Sequence, residues 1–556
     1  MACCPDSRYF EKIRIFMRNM TLILLFFLVA GGLTANAQQV LLEKSIPVSK
    51  EAEKGYIAKV FNDDSKKEIY IIYRVRAKST QVRFITYTVD YDFNLKGTSE
   101  EVIDLEKELP EKYRPAKYRK DKPETYTQEG LSVEPSLTGT LVLKRKVTTF
   151  TWKWALNNYD ASVSVEGKLK ASTDDDKKLF YHGHVENDND GTAMILAGEK
   201  GNLKSPFQHM MSYHLIKYDI NLKKLADVTI NFDTPQAVAA VYGYPESADE
   251  QKQGMIVVFA PFKEKRYAGP KIWSGTTNDY TFVHVSYDGK LKDRVAFKSP
   301  NSIWRVDDFV MADDGSVYFY GPANDGTDDY FHSRLDISGE NEKWPNFQLA
   351  KVSGGKTQFV SSTSMQDFKS KLKAQPDGKK GDPYSGRRVA ITRSMLTPDQ
   401  QLILAGQNYD FARNAKAQVI GRSYQDLVMF HFDAKGQLLS QYSMNKKEAS
   451  LAPDFQIFEF SPDAKTMYWS FFDNIGTRDV RELDLIVSKP LGVPKLGNIN
   501  LTNGNFEKYT EYGNGENFVH YGHLNYLRDI NNRLVTYMGE NKKGNALWFA
   551  RVQLGK

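Results

Sequence analysis

Short apolar strands that follow turn-forming residues recur along the whole chain. In "MADDGSVYFYG", residues 311–321, a polar turn leads into an apolar run that ends on glycine. Asp-Gly and Gly-Gly favour tight hairpins, because such turns require positive backbone angles. Eight turns, 52 to 85 residues apart, are expected near Lys66, Gly139, Gly191, Gly254, Gly315, Gln400, Ala464 and Asn532. Each interval has room for a small four-stranded sheet with its loops.

A second hairpin follows most of these strands after a variable loop. Examples are "FVHVSYDGKLKDRVAF" from Phe282 and "LVMFHFDAKGQLLSQYSM" from Leu427. Each repeat therefore supplies two hairpins and four strands, and the chain is predicted to be all-β. Helical periodicity is weak, and the best short helix is "SMQDFKSKLKA" at 364–374.

Four-stranded units repeated in this way, with apolar runs suited to sheets buried on both faces, resemble a β-propeller. The resemblance is to secreted bacterial propellers of WD40-like or kelch-like type, although the Trp-Asp dipeptide and the paired-glycine signature are missing. It implies eight blades of four strands, with seven blades as the alternative. An array of β-sandwiches would not explain one period that runs from end to end.

The two ends of the chain are predicted to meet in one sheet. The last repeat stops one strand short, and "QQVLLEKSIPV" from Gln38 is expected to complete it and cover the exposed edge. In such a ring the short turns share one face, and the other face receives the long insertions. Loops of this length are often functional. They are residues 106–136, 259–279, 321–345, 361–388 and 406–424.

The N-terminus is typical of a secretory signal peptide. Arg18 precedes the apolar run Leu22–Leu33, and a small-residue cleavage site ends at Ala37. Met17 is a natural start, so residues 1–16 are interpreted as an upstream extension. The apolar run is shorter than the ~20 residues of a membrane-spanning helix, which disfavours a retained anchor. We expect an exported protein, periplasmic or outer-surface, whose residues 38–556 form one propeller domain without a transmembrane segment.

Composition excludes several classes of function. The two cysteines, Cys3 and Cys4, precede the apolar run, so the mature chain has no lipoprotein cysteine, disulfide, thiol nucleophile or cysteine metal ligand. Cleavage after Ala37 removes four basic and two acidic side chains, and the net charge falls from +6 to +4. A charge this small argues against nucleic acid as a partner.

Histidines and acidic turns are the candidates for metal binding. His182 and His184 alternate on one strand and are expected to point to one side of it, as metal ligands do. His520 and His523 lie three blades away, so packed or channel-lining histidines are favoured over a shared metal. "ENDNDG" at 186–191 and "NDGTDD" at 324–329 resemble openings of calcium loops, but polar turns are favoured. No cofactor is predicted, and calcium is the alternative.

Catalytic motifs are weak. "GRSYQ" at 421–425 lacks the second glycine of a serine-hydrolase elbow, and the chain has no phosphate loop or dinucleotide fingerprint. In "RVDDF", Asp307 and Asp308 are expected on opposite sides of a strand. If the protein is an enzyme, the residues that could converge at the channel mouth are Arg305, Asp307, Arg393, His184 and His523.

Basic and aromatic residues on the predicted long-loop face are the candidates for ligand binding. The segment "KYRPAKYRKDKPETY" at 112–126 combines both types, with a solvated loop as the alternative interpretation. The candidate ligand-binding residues are Tyr113, Arg114, Tyr118, Arg119, Trp273, Trp304 and Tyr409. The sequence favours a noncatalytic binding or scaffold propeller of the bacterial envelope that engages a protein or glycan. The alternative is a polysaccharide lyase or glycoside hydrolase, because propellers host many functions.

Overall fold

The protein is almost entirely β-structure, with two short helices among the described residues. The computed structural model describes residues 39–75, 81–104, 125–135, 141–153, 158–171, 179–187, 191–199, 209–243, 254–261, 279–301, 303–325, 343–376, 381–416, 418–446, 449, 453–454, 456–482, 485–513, 517–520, 526–529 and 533–554. Over these ranges no helix has the length and apolar character needed to cross a membrane. The first strand, β1 (Gln39–Pro47), precedes the one-turn helix α1 (Lys50–Glu53).

The strands that follow form antiparallel units, which we number in chain order. Unit 1 contains β2 (Tyr56–Asp63), β3 (Glu68–Val75), β4 (Gln81–Asp90) and β5 (Leu95–Asp104). Unit 2 contains β6 (Thr125–Pro135), β7 (Leu141–Lys153) and β8 (Asn158–Lys170). Unit 3 contains β9 (Leu179–Asn187), β10 (Thr192–Glu199), β11 (His209–Tyr218) and the first part of β12 (Lys224–Gly243). Unit 4 contains the rest of β12, then β13 (Gly254–Pro261), β14 (Asp279–Ser286) and β15 (Leu291–Lys298).

The second half of the chain continues the same pattern. Unit 5 contains β16 (Ile303–Trp304), β17 (Asp308–Met311), β18 (Val317–Asn324), β19 (Asn346–Ser353) and β20 (Lys356–Ser364). After helix α2 (Met365–Lys371), unit 6 contains β21 (Val389–Leu396), β22 (Leu402–Arg413), β23 (Val419–Phe432) and β24 (Leu438–Met444). Unit 7 contains β25 (Gln456–Phe460), β26 (Thr466–Glu482), β27 (Leu485–Asn500) and β28 (Asn505–Glu511). β29 (Asn517–His520) links β27 to unit 8, which contains β30 (Tyr526–Asp529), β31 (Leu534–Asn541), β32 (Ala546–Gln553) and β1.

The predicted turns separate the first and second strands of the units, as expected. Gly315 has φ +80° between β17 and β18, and Gln400 has φ +65° between β21 and β22. The turns near Gly139 and Asn532 lie outside the described residues, as does the connection at 244–253 that precedes Gly254, the first residue of β13. The predicted helix is confirmed as α2, where Ser364 and Asp367 form a reciprocal capping box and the buried Phe368 fixes the helix to the core.

Hydrophobic clusters join the units face to face. Seven clusters each draw their buried residues from two consecutive units, in the order 2–3, 3–4, 4–5, 5–6, 6–7, 7–8 and 8–1. Side chains alternate between the two faces of a strand. In β18, for example, Phe319 packs towards unit 4 and Tyr320 packs towards unit 6. The apolar runs therefore form strands that are buried on both faces, as a propeller-type fold requires.

β1 completes the sheet of unit 8, which confirms the predicted meeting of the two ends. It runs antiparallel to β32 along its whole length, from Gln39 opposite Gln553 to Pro47 opposite Ala546. The buried indole of Trp548 donates a hydrogen bond from Nε1 to Oε1 of Glu43 at 2.8 Å. Units 1 and 2 share no hydrophobic cluster within the described ranges, so the number of blades in a closed ring stays a prediction.

Candidate functional site

The hairpin of β22 and β23 extends beyond the core of unit 6. Residues 402–407 of β22 are buried, whereas residues 408–413 are half-buried or exposed. Pairing nevertheless continues outward, with Tyr409 opposite Tyr424 and Phe411 opposite Arg422. The predicted long loop at 406–424 is therefore wrong. On β22 the aromatic side chains of Tyr409 and Phe411 alternate with the polar side chains of Asn408 and Asp410, which suits a solvent-facing strand.

One face of this extension carries stacked arginine and aromatic side chains. Residues two apart on a strand and residues opposite one another across a pair share a face. The ring of Tyr409 lies 6.1 Å from that of Phe411 and 6.1 Å from that of Tyr424. The guanidinium of Arg422 lies 4.6 Å from the Tyr409 ring, and that of Arg388 lies 4.6 Å from the Phe411 ring. We call these five residues the arginine–aromatic face.

The two arginines of this face differ in their partners. Arg388 donates from Nη1 to the Asp410 carboxylate, so its charge is balanced. Arg422 is exposed, and its guanidinium makes no direct ion pair or hydrogen bond in the described part of the chain. A guanidinium that stacks on a ring keeps its in-plane donors available. Arg422 is thus positioned to donate to an anionic ligand.

The backbone of Gly386 positions the segment that carries Arg388. The carbonyl oxygen of Gly386 accepts a 2.9 Å hydrogen bond from the amide of Trp344. Gly386 has φ +80°, and a Cβ atom there would lie 1.9 Å from the Trp344 carbonyl oxygen. Only glycine fits both constraints. The next residues then pass along β22, where Tyr409 donates its amide hydrogen to the Arg388 carbonyl at 3.2 Å.

An ion pair lies near the arginine–aromatic face. Arg305 donates from Nε to Oδ1 of Asp307 at 2.7 Å, and its guanidinium lies 5.4 Å from the Trp344 ring. Burial raises the pKa of Asp307, and the neighbouring Arg305 and Arg422 oppose this rise. The carboxyl side chain nevertheless keeps 30% of its surface exposed. Asp307 is therefore open to solvent and paired with Arg305.

The structure brings some of the predicted site residues together and places others apart. Arg305 and Asp307 are brought together, and Tyr409 lies on the arginine–aromatic face. Trp304 is wrong as a ligand-binding residue, because it is 0% exposed in the cluster between units 4 and 5. Pairing of β16 with the end of β18 places its indole between the two sheets.

The other predicted catalytic residues lie elsewhere. Arg393 lines a pocket formed with units 7 and 8. In unit 3, His184 contacts the Tyr181 hydroxyl and Oε1 of Glu186.

The two histidines of β9 do not share a side of the strand. The ring of His182 packs on Tyr213, which belongs to the cluster between units 3 and 4. His184 packs on Tyr181, which belongs to the cluster between units 2 and 3. A β-bulge opposite the step from Leu196 to Ala197 breaks the alternation between them. The prediction that both rings point one way is therefore wrong.

Several predicted residues lie outside the described residues: Tyr113, Arg114, Tyr118, Arg119, Trp273, His523 and the side chain of His520. Most of "ENDNDG" and "NDGTDD" lies there as well. In the described ranges, His, Cys, Asp and Glu side chains form no group of three that would hold a metal ion.

Five residues of this region were not predicted from the sequence as site residues: Arg388, Phe411, Arg422, Tyr424 and Trp344. A signal for three of them was present, because Tyr409 and Phe411, like Arg422 and Tyr424, stand two residues apart in the spacing of a strand. Arg388 and Trp344 contact side chains that are more than 20 positions away in the chain, so no local pattern indicates them.

Comparison with known proteins gives weak similarities. No family model and no curated protein matches the chain. Among solved structures, a polysaccharide lyase of the PL25 ulvan lyase type is 10% identical, with a TM-score of 0.28 over 78% of this chain and 93% of the lyase. The WD40 domain of SCAP from fission yeast is 8% identical, with a TM-score of 0.20 over 93% of this chain and 99% of that domain. Drosophila Plexin A, in complex with Semaphorin 1b, is 9% identical, with a TM-score of 0.20 over 93% and 88%. Similarities this weak identify neither a family nor a function.

Proposed function

We propose that the protein is an exported binding protein of the bacterial envelope that holds an acidic glycan, without cleaving it, on the arginine–aromatic face. The observation that carries the proposal is the exposed guanidinium of Arg422, which stacks on Tyr409 and makes no direct ion pair in the described part of the chain, although it is near enough to Asp307 to oppose the rise in the pKa of that carboxyl. Guanidinium groups bind carboxylate and sulfate groups through two parallel hydrogen bonds.

The neighbouring side chains suit a sugar chain better than an isolated ion. Tyr409, Phe411 and Tyr424 present aromatic surface beside the charge, and the C–H faces of sugar rings pack on such surface. An acidic glycan would therefore meet alternating apolar and cationic groups along this face.

Replacing Arg422 by Met is expected to weaken the binding of an acidic glycan about tenfold or more, because a charge-assisted hydrogen bond contributes about 1.5–3 kcal/mol. Calorimetric titration with oligosaccharides of pectate, alginate and heparin measures the change, with dextran as the neutral probe. Lys416→Met is the matched control, since Lys416 is exposed at the tip of the same hairpin and outside the face. Equal losses in both variants would show only nonspecific charge attraction, and no binding of any acidic glycan would contradict the proposal.

A second candidate function is cleavage of the bound glycan, and the Asp307 carboxyl favours it. A raised pKa suits a general acid, and Arg305 is placed to stabilise negative charge beside it. In that case Asp307→Asn is expected to abolish the release of reducing ends or unsaturated sugars while glycan affinity stays within about twofold. If the unaltered protein releases no product from a glycan that it binds, the noncatalytic proposal is supported over this one.

A further inference from the structure

The end of the β22–β23 hairpin combines exposed apolar and cationic side chains. Val419 is 51% exposed and Ile420 is 62% exposed, which is the highest fraction among the large apolar side chains that the structure describes. Residues 411–422 contain three cationic side chains and no acidic one. Two of these cations, Arg413 and Lys416, are exposed and lie on the same turn as the apolar pair. We call Arg413, Lys416, Val419 and Ile420 the hairpin tip.

Asn414 fixes the backbone of this turn. Its amide donates to the carbonyl oxygen of Gln418 at 3.0 Å. Its Oδ1 accepts from the amide of Lys416 at 2.9 Å and from that of Gln418 at 3.1 Å. Backbone groups without partners are costly to move out of water, so a turn that satisfies them internally is suited to contact with an apolar phase.

The register of the two strands leaves the apolar pair uncovered. Ala412 lies opposite Gly421 and Arg413 lies opposite Val419, so a β-bulge leaves Ile420 without an opposite residue. The turn lies at the far end of the extension from the buried residues of β22. Isolated exposed apolar residues are common on protein surfaces, but an adjacent pair at the end of a projecting hairpin indicates an interaction surface.

The charges around the pair indicate what this surface contacts. An anionic lipid bilayer attracts cationic side chains to its phosphates and has an apolar phase directly beneath them. The long side chains of Arg413 and Lys416 are able to reach headgroups while the apolar pair lies deeper. Tyr409 and Tyr424 are paired on the same hairpin nearer the core, and tyrosine favours the boundary between lipid and water.

We propose that the hairpin tip docks the protein reversibly on the surface of an anionic phospholipid bilayer. Val419 and Ile420 enter the boundary between headgroups and acyl chains, and Arg413 and Lys416 pair with lipid phosphates. Each kind of group alone is too weak to hold a protein on a membrane, so docking requires both. The inference is independent of glycan binding, because the hairpin tip lies outside the arginine–aromatic face.

Cosedimentation of the chain spanning residues 38–556 with vesicles tests the proposal. Binding is expected to vesicles of phosphatidylcholine and phosphatidylglycerol in equal amounts. It is expected to be about tenfold weaker, or more, on vesicles of phosphatidylcholine alone and at high ionic strength, because the attraction to anionic lipid is then absent or screened. Equal binding to the two kinds of vesicle, or no binding to the anionic vesicles, would overturn the proposal.

Variants of the hairpin tip locate the contact. Replacing Val419 and Ile420 together by Ser is expected to weaken binding to the anionic vesicles about tenfold or more, because their apolar surface is no longer buried. Lys416→Gln leaves the apolar pair in place and is expected to weaken binding about fivefold. The matched control is Leu291→Ser, since Leu291 is 45% exposed on β15 in unit 4, and it should leave binding unchanged. Equal losses in the control and the tip variants would contradict docking through the tip.

Two further measurements separate docking from folding and from glycan binding. The fluorescence of Ile420→Trp is expected to shift to shorter wavelength when anionic vesicles are added, whereas that of Leu291→Trp is not, and equal shifts would overturn the proposal. Acidic glycan titrated into the double Ser variant and into Lys416→Gln is expected to bind with unchanged affinity, which also shows that these variants are folded. Loss of vesicle binding with glycan affinity retained would place the membrane contact at the tip alone.

Discussion

A chain that begins at Val48, and therefore lacks β1, is expected to lose about 5 kcal/mol or more of unfolding free energy relative to a chain that begins at Gln38. β1 pairs with β32 along its whole length, and Ile46 is 4% exposed in the cluster between units 8 and 1. Its removal also leaves Nε1 of Trp548 without the Glu43 acceptor. Equilibrium denaturation in urea measures the loss.

The same truncation is expected to cause self-association, because β32 then becomes an unpaired edge strand. Light scattering during size-exclusion chromatography detects this. A matched comparison is Glu43→Gln in the longer chain, which keeps β1 and an oxygen acceptor and should remain monodisperse with nearly unchanged stability. Equal denaturation midpoints for the two chain lengths would show that β1 does not close unit 8 in solution.

The second large effect is expected at a buried ion pair in unit 7. Nζ of Lys495 lies 3.0 Å from Oδ2 of Asp473, and the two side chains are 12% and 5% exposed. Lys495→Met deprives the buried carboxylate of this cation, which typically costs about 3–5 kcal/mol. Replacing Asp473 by Leu in addition should recover most of the loss, because the pair is then replaced by apolar groups. Urea denaturation of the single and double variants measures both changes.

The solvent exposure of an ion pair determines how much unfolding free energy is lost when its lysine is replaced. Lys465 and Asp463 also form an ion pair, at 3.8 Å, but they are 71% and 57% exposed. Lys465→Met is therefore expected to change the unfolding free energy by less than about 1 kcal/mol. Burial lowers the pKa of Lys495, yet Asp473 raises it to a net value above the usual one. The stabilisation that the Lys495 charge contributes is thus fully present below the pKa of this lysine in the unfolded chain. It is lost as pH rises through the raised pKa of Lys495 in the folded protein. Equal losses of unfolding free energy in Lys495→Met and Lys465→Met would contradict the expectation that the buried ion pair contributes more than the exposed one.

Local signals account for the parts of the fold that the sequence predicted correctly. Turns such as that at Gly315, and apolar runs such as β18, depend on neighbouring residues and are visible in the chain itself. The pairing of β1 with β32 was predictable because the last repeat lacked one strand. The number of blades in a closed ring stays a prediction, since no hydrophobic cluster joins units 1 and 2 within the described residues.

The candidate site was harder to predict because it is assembled across units. Arg305 and Asp307 are two residues apart, so their proximity could be expected. The position of Arg422 near Asp307 depends on how unit 6 packs beside unit 5. Trp304 failed as a prediction for the same reason, because its burial is produced by the pairing of β16 with β18.

The position of β1 also affects the order in which the protein is completed. Glu43 and its partner Trp548 are separated by 505 positions in the chain. Synthesis proceeds from the N-terminus, so β1 emerges long before its partner β32 has been made. Charged residues and proline on an edge strand disfavour pairing with a wrong strand, so Glu43, Lys44 and Pro47 are expected to protect β1 during that interval. We therefore expect Glu43 to matter twice, before β32 is made and after the two strands have paired.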